Sequence, residues 1–113
     1  DGLDEISPYA KTNIIQLKNG KISEIVIDPK KVNVNAENFN NILGGDKQFN
    51  AKKIIDIFKG EDNDFSKAVC LNASAGLIVS ENQENIIDAY AITRKHILSG
   101  KPYEHLKKIQ TNE

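Results

Sequence analysis

The chain has 113 residues with 15 Lys and Arg against 16 Asp and Glu, so its charge gives no bias towards a polyanion such as nucleic acid. This length suits one compact domain with a modest core, and the single cysteine excludes an intrachain disulfide. Because the sequence has no apolar run long enough to cross a bilayer and no signal-peptide pattern, we expect a cytoplasmic protein that binds neither nucleic acid nor membrane.

An acidic stretch opens the chain, residues 1–7 with the sequence DGLDEIS. Carboxylate oxygens suit Mg²⁺, which keeps most of its waters and takes one or two protein carboxylates together with substrate phosphates. Successive side chains of an extended segment point to opposite faces, so Asp4 and Glu5 would reach one ion through water or bind two separate ions. A frayed acidic terminus or a carboxylate at a helix start explains the same composition without a ligand, and composition alone favours that explanation.

A β-hairpin is predicted next, because residues 13–17 and 21–27 are rich in Ile and Val and Asn19-Gly20 between them is a strong turn signal. The second strand carries apolar residues on both faces, so we expect it to be packed on both sides. These residues are Ile22 and Val26 on one face and Ile25 and Ile27 on the other. Pro29 then ends the ladder, since proline has no amide hydrogen to donate.

Residues 30–43 show no sustained period, and their apolar side chains predict a docked connection with a helical turn between residues 36 and 43. The Gly-Gly-Asp of residues 44–46 predicts the start of a helix capped by Asp46 and ended by Gly60. Two glycines before a helix could bind a phosphate, but the Asp46 carboxylate would compete for the same donors. We therefore interpret this segment as structural.

Three more helices are predicted in the second half of the chain from the spacing of apolar residues. They cover residues 64–80, 84–98 and 102–109. The first is apolar on nearly every side and is expected to be buried. Its polar exception, Asn72, is interpreted as a structural hydrogen bond to a neighbouring loop and not as a catalytic group. His96 and His105 lie near helix ends without a second ligand at metal-binding spacing, and we assign them no role.

The acidic stretch resembles the acidic motif of anthranilate phosphoribosyltransferases, and further motifs of that family agree in order along the chain. They are LKNGKI at residues 17–22, DP at 28–29, GGD at 44–46, NA at 50–51, LNASAGL at 71–77 and SGK at 99–101. The resemblance implies an α/β fold of the phosphoribosyltransferase and nucleoside phosphorylase type. Residues 1–113 would form the C-terminal part of its single catalytic domain, a short β-hairpin or sheet strands followed mostly by helices. Because the chain has no Met and starts inside its strongest motif, we expect that the N-terminal part, with the phosphate-binding loop, is absent.

The function implied by the resemblance is transfer of the phosphoribosyl group from phosphoribosyl pyrophosphate to anthranilate, giving phosphoribosyl-anthranilate and pyrophosphate in tryptophan biosynthesis. Asp4 and Glu5 match the family's metal-binding pair, which implies Mg²⁺ as cofactor, whereas Asp1 matches a motif position without a ligand role. No catalytic residue and no further cofactor-binding residue is assigned. The fragment alone is expected to be inactive. Both substrates and the missing N-terminal part are its expected partners, and a homodimer is left open for the intact enzyme.

Two other functions are compatible with parts of the sequence. A non-catalytic packing or interaction module derived from this fold would explain the apolar faces, and an open sheet edge would then favour self-association. A pyrimidine nucleoside phosphorylase relative would share the broader architecture. The acidic motif argues against the phosphorylase, and an assay of phosphoribosyl-anthranilate formation separates the enzyme from the module.

Overall fold

The computed structural model describes residues 1–111, in which a two-stranded sheet is followed by four α-helices. The strands are β1 (Thr12–Lys18) and β2 (Lys21–Ile27), and the helices are α1 (Lys47–Phe58), α2 (Asp64–Val79), α3 (Ile86–Leu98) and α4 (Lys101–Gln110). The predicted α/β class, with a hairpin before mostly helical structure, is confirmed. No helix in this described part is both long and apolar enough to cross a bilayer.

The hairpin forms because its turn residues accept positive φ angles, 53° at Asn19 and 74° at Gly20. The strands pair antiparallel with Leu17 opposite Ile22. On the inner face, Ile27 and Ile14 pack on the core although Ile25 is 39% exposed, and the opposite face is open, with Ile22 at 74% of its accessible surface. The expectation that β2 is packed on both sides is therefore wrong for this chain.

The connection between β2 and α1 is docked on the core, as predicted. It contains two short 3₁₀ turns, Pro29–Val32 and Phe39–Ile42, of which the second was expected and the first was not. Val32 and Val34 are each 3% exposed and join the core. The first turn forms because the Asp28 carboxylate accepts a hydrogen bond from the N–H of Lys30 just after the β2 strand.

Local capping sets the start of the helices. The Asp46 carboxylate accepts from the N–H of Phe49 at 2.8 Å, which confirms its predicted role as the cap of α1. Asn63 and Ser66 form a reciprocal capping box at the start of α2. Gly60 follows α1 with φ of 99°, and a Cβ there would lie 3.0 Å from the carbonyl oxygen of Leu98. A glycine is thus required where the ends of α1 and α3 meet.

The core lies between α1, α2, α3, the end of β2 and the docked connection. Its buried apolar residues are Ile27, Val32, Val34, Ile57, Cys70, Leu71, Tyr90 and Ile97. Burial raises the pKa of the Cys70 thiol above its usual range. Helix α2 is buried on one face only, because Val79 is 82% exposed and Gly76 has open space where a side chain would stand. The prediction of a helix buried all round is wrong for this chain.

The inward face of α3 includes polar groups that a count of apolar residues does not reveal. Thr93 is buried against α2, and the Arg94 side chain is only 16% exposed and pairs with Asp62 at 2.7 Å. In α4, Tyr103 and Leu106 are half-buried, whereas Ile109 is exposed. Two ammonium groups lie over the ring of Tyr103 and make cation–π contacts with it. They belong to Lys59 and Lys107 and lie 4.9 and 5.2 Å from the ring centroid.

Candidate metal centre

The candidate site is the acidic loop, residues 1–7, which lies against helix α2. The side chain of Asn72 joins the two. Its Oδ1 accepts from the N–H of Ile6 at 2.9 Å, and its Nδ2 donates to the carbonyl oxygens of Ile6 and Ala68, both at 3.0 Å. The predicted structural bond from Asn72 to a neighbouring loop is confirmed, and the loop is the acidic one.

Asp1 closes the acidic loop on itself. Its carboxylate accepts hydrogen bonds from the N–H of Leu3, at 3.2 Å, and from the hydroxyl of Ser7. The φ angle of 86° at Gly2 permits the tight turn between them. The Asp1 carboxylate is thus occupied by hydrogen bonds within the loop.

Ser7 fixes the end of the acidic loop in the protein interior, where it is 1% exposed. Its N–H donates to Oγ1 of Thr12 at 3.0 Å. Its Oγ accepts from the N–H groups of Tyr9 and Ala10 at 3.1 and 3.0 Å. These bonds turn the chain from the loop into β1, so the loop is held at its end and at Ile6.

The two carboxylates predicted to bind metal are both exposed and adjacent in the chain. Among residues 1–111, neither Asp4 nor Glu5 accepts a hydrogen bond within the protein or forms an ion pair. The same part of the chain contains no group of three or more His, Cys, Asp or Glu able to hold an ion. The donor set therefore fits Mg²⁺ with water and substrate phosphate completing the coordination, and does not fit an ion enclosed by protein ligands.

An apolar cavity of about 250 Å³ lies beside the acidic loop. Glu5 and Asn72 are the polar residues in its lining, and Leu3, Ile6, Phe65 and Val69 provide much of its apolar wall. An anion such as a phosphate gains little from such a wall. The phosphate-binding donors of a complete site would thus have to come from elsewhere than this cavity.

Tyr9 ties the segment after the acidic loop to the start of α2, a link that the sequence analysis missed. Its hydroxyl lies 3.1 Å from Oδ2 of Asp64 and 2.5 Å from the carbonyl oxygen of Asn38. Burial and the neighbouring Asp64 carboxylate raise the pKa of Tyr9 to about 12. The tyrosine is therefore a neutral donor across the physiological range.

Asp64 is 4% exposed and accepts hydrogen bonds from groups on three segments. The donors are Tyr9 Oη, the N–H groups of Glu37 and Asn38, Asn41 Nδ2 and Lys67 Nζ. Burial by itself would raise the pKa of Asp64, but the bonds from Asn41, Lys67 and the main chain outweigh it and hold this pKa well below the usual range. Asp64 is a structural charge that fixes the docked connection.

Comparison with known proteins matches residues 1–103 to the family described as glycosyl transferase family, a/b domain. The chain is 69% identical over 110 residues to an anthranilate phosphoribosyltransferase of Pelagibacter ubique, in an alignment that covers 97% of the chain and 33% of that protein. Proteins of the same name from Clostridium beijerinckii and Idiomarina loihiensis are 36% and 31% identical, over 97% and 96% of the chain and 33% of each relative. The chain thus spans about a third of the length of these relatives. The resemblance found in the motifs is confirmed.

Proposed function

Because the chain belongs to the glycosyl transferase family with this a/b domain, we propose that it is the C-terminal part of an anthranilate phosphoribosyltransferase. In this proposal residues 1–113 are part of one α/β catalytic domain. The complete enzyme, meaning a protein of the relatives' length that contains this chain, transfers the phosphoribosyl group of phosphoribosyl pyrophosphate to anthranilate and releases pyrophosphate. The observation that carries the proposal is 69% identity over 97% of the chain with a relative of that name.

The proposed reaction replaces one bond at C1 of the ribose by another. The amine nitrogen of anthranilate forms the new bond to C1, the C1–O bond to pyrophosphate breaks, and pyrophosphate leaves with the bonding electrons while the amine releases a proton. Anthranilate is a weak nucleophile, so the rate depends on stabilising the charge of the leaving group. When bound, Mg²⁺ supplies charge neutralisation and positioning of the pyrophosphate.

Within this chain, Asp4 and Glu5 would hold that ion, and no other residue is assigned a direct role. Their exposure and lack of protein partners support the assignment, since a hydrated ion can reach both carboxylates without breaking a contact within the chain. The hydrogen bonds that hold the acidic loop support the assignment too. Because the loop is already ordered in the folded chain, metal binding does not have to order the backbone of its ligands.

The test is the double substitution Asp4→Ala with Glu5→Ala in the complete enzyme. We expect the Mg²⁺ concentration for half-maximal phosphoribosyl-anthranilate formation to rise at least about tenfold. Loss of a residue that only hydrogen-bonds to a metal ligand already lowers metal affinity by about tenfold, and loss of the ligands themselves should do no less. Thermal stability should change little, since both side chains are exposed.

A matched control removes the same charge elsewhere. Glu24 and Glu84 are exposed, lie outside the acidic loop, and form no ion pair among the described residues, so Glu24→Ala with Glu84→Ala should leave the Mg²⁺ dependence as it was. An unaltered Mg²⁺ dependence in the Asp4 and Glu5 double variant would remove the metal assignment. Failure of the unsubstituted complete enzyme to form phosphoribosyl-anthranilate would overturn the function itself.

A further inference from the structure

We propose that Asn72 is a positioning residue for the metal site, which sets the place of Asp4 and Glu5 by pairing with the main chain of Ile6. This inference rests on the proposed function, since it assumes that these carboxylates bind the ion. Asn72 lies on α2 and contacts neither substrate nor metal in this proposal. Its effect passes through the acidic loop.

The geometry of the contact is that of a peptide group pairing with another peptide group. Asn72 accepts from the N–H of Ile6 at 2.9 Å and donates to the carbonyl of the same residue at 3.0 Å, as a neighbouring strand would. Its second N–H donates to Ala68, one turn earlier on α2, at 3.0 Å. Both donors and the acceptor of the amide are therefore used, which fixes the orientation of its plane.

The position of this contact gives it control over the carboxylates. Ile6 follows Glu5 directly, so a shift of the Ile6 main chain moves both proposed ligands. In the described chain, the hydrogen bonds that join residues 1–6 to the helices are those made by Asn72, whereas the bonds of Asp1 and Ser7 stay within residues 1–12. Without Asn72, the loop would keep the bonds of Ser7 and the packing of Ile6 on the core, but its main chain would no longer be hydrogen-bonded to α2.

Few other side chains can replace the amide. Leucine has nearly the same shape but offers no hydrogen bond, so it leaves the N–H and C=O of Ile6 unpaired. Serine keeps the helix but bonds back to the carbonyl of Ala68 and is too short to reach Ile6. Aspartate would set a negative oxygen against the two carbonyls that Asn72 now donates to, which is repulsive.

The chain offers a matched control in Asn50. Its Oδ1 accepts from the N–H of Gly45 at 2.9 Å and its Nδ2 donates to the carbonyl of Gly45 at 3.0 Å, so it makes the same paired contact at the start of α1. This contact involves no residue of the acidic loop. Loss of a paired amide contact as such can therefore be separated from loss of the contact that holds the acidic loop.

The experiment measures Mn²⁺ binding to the complete enzyme by the electron paramagnetic resonance signal of the free ion, with inorganic pyrophosphate present. We expect Asn72→Leu to raise the Kd for Mn²⁺ about tenfold, as loss of an outer partner of a metal ligand does. Asn72→Ser should raise it in the same direction, and Asn50→Leu should leave it unchanged. Hydrogen exchange at the Ile6 amide should become faster in both Asn72 variants.

The outcomes separate the inference from the proposed function. If Asp4→Ala with Glu5→Ala abolishes Mn²⁺ binding but Asn72→Leu retains the original Kd, the positioning role is wrong and the metal assignment stands. If Asp4→Ala with Glu5→Ala binds Mn²⁺ with the original Kd, the metal assignment is wrong, and the positioning role of Asn72 is wrong as well. A role in stability alone would lower the melting temperature of Asn72→Leu without moving its Kd, which also overturns the inference. Should Asn72→Leu fail to fold, the Kd of Asn72→Ser decides in the same way.

Discussion

Helix α2 and the hairpin are both rich in apolar residues, yet the inner face of α2 is covered by other elements whereas the outer face of the hairpin lies in solvent. On the inner face of α2, Leu71 and Cys70 are fully buried, and the hydroxyl of Ser74 lies 3.0 Å from that of Thr93 on α3. No buried side-chain nitrogen or oxygen in the described part of the chain lacks a partner. On the outer face of the hairpin, Ile15 and Ile22 are 75% and 74% exposed. Apolar content predicts where a core can form, but only the supply of neighbouring elements decides whether it does.

The largest expected effect comes from the buried side of this comparison. Leu71→Ala removes a side chain with no exposed surface and leaves a cavity in the core, so it should lower the free energy of unfolding by about 3 kcal/mol. Val79→Ala on the exposed side of the same helix should change it by less than about 0.5 kcal/mol. Chemical denaturation of the two variants measures both values. Equal losses would show that the two faces of α2 are not different in the way the structure indicates.

Asp64 tests whether polar groups in the covered region carry stability as well. Asp64→Asn sets an amide N–H₂ against donors that now bond to a carboxylate. We expect the free energy of unfolding to fall by about 2 kcal/mol at neutral pH.

The same substitution should change the response to acid. The folded-state pKa of Asp64 is depressed, so its stabilisation is fully present above the unfolded-state pKa of about 3.9 and is lost as pH falls below that value. Asp64→Asn should therefore show a shallower loss of stability than the unsubstituted chain as pH falls from about 5 to about 2. Denaturation curves at several pH values measure this, and two parallel pH profiles would contradict the role given to Asp64.

The smallest effect is expected on the open face of the hairpin. Ile15→Thr with Ile22→Thr keeps β-branched side chains in both strands and removes apolar surface that is already in water. The free energy of unfolding should therefore change by less than about 0.5 kcal/mol. Ile27→Thr on the inward face is the control, and should cost about 2 kcal/mol because Ile27 is 8% exposed. If the outer pair costs as much as Ile27, the two faces of the hairpin are equally covered and the comparison fails.

Features set by neighbouring residues were predictable from the sequence. The hairpin follows from Asn19-Gly20, and the start of α1 follows from Asp46, because each depends on the backbone within a few residues. Features set by distant residues were not. The inward position of Arg94 depends on Asp62, 32 positions earlier, and a periodic pattern treats any arginine as a solvent-facing residue.

The candidate site divides in the same way. Asp4 and Glu5 were singled out by resemblance to a family motif, and their metal role stays a prediction. For Asn72, an amide in an apolar helix indicated a hydrogen bond to a loop, but nothing local identified Ile6, 66 positions away, as the partner. Tyr9 and Asp64 were missed, because each looks like an ordinary surface residue until the connection is docked between them.

The contacts of Asp64 also bear on the order in which the chain folds. Its partners Tyr9, Glu37 and Asn41 stand 55, 27 and 23 positions away. Each of these hydrogen bonds can form only after a long loop has closed, which costs conformational entropy. The acceptor is presented by the first turn of α2, which its own capping box can form locally. We therefore expect α2 to form early and the segments around residues 9 and 37–41 to dock late and together. Both segments would dock by donating hydrogen bonds to the same atom, Oδ2 of Asp64.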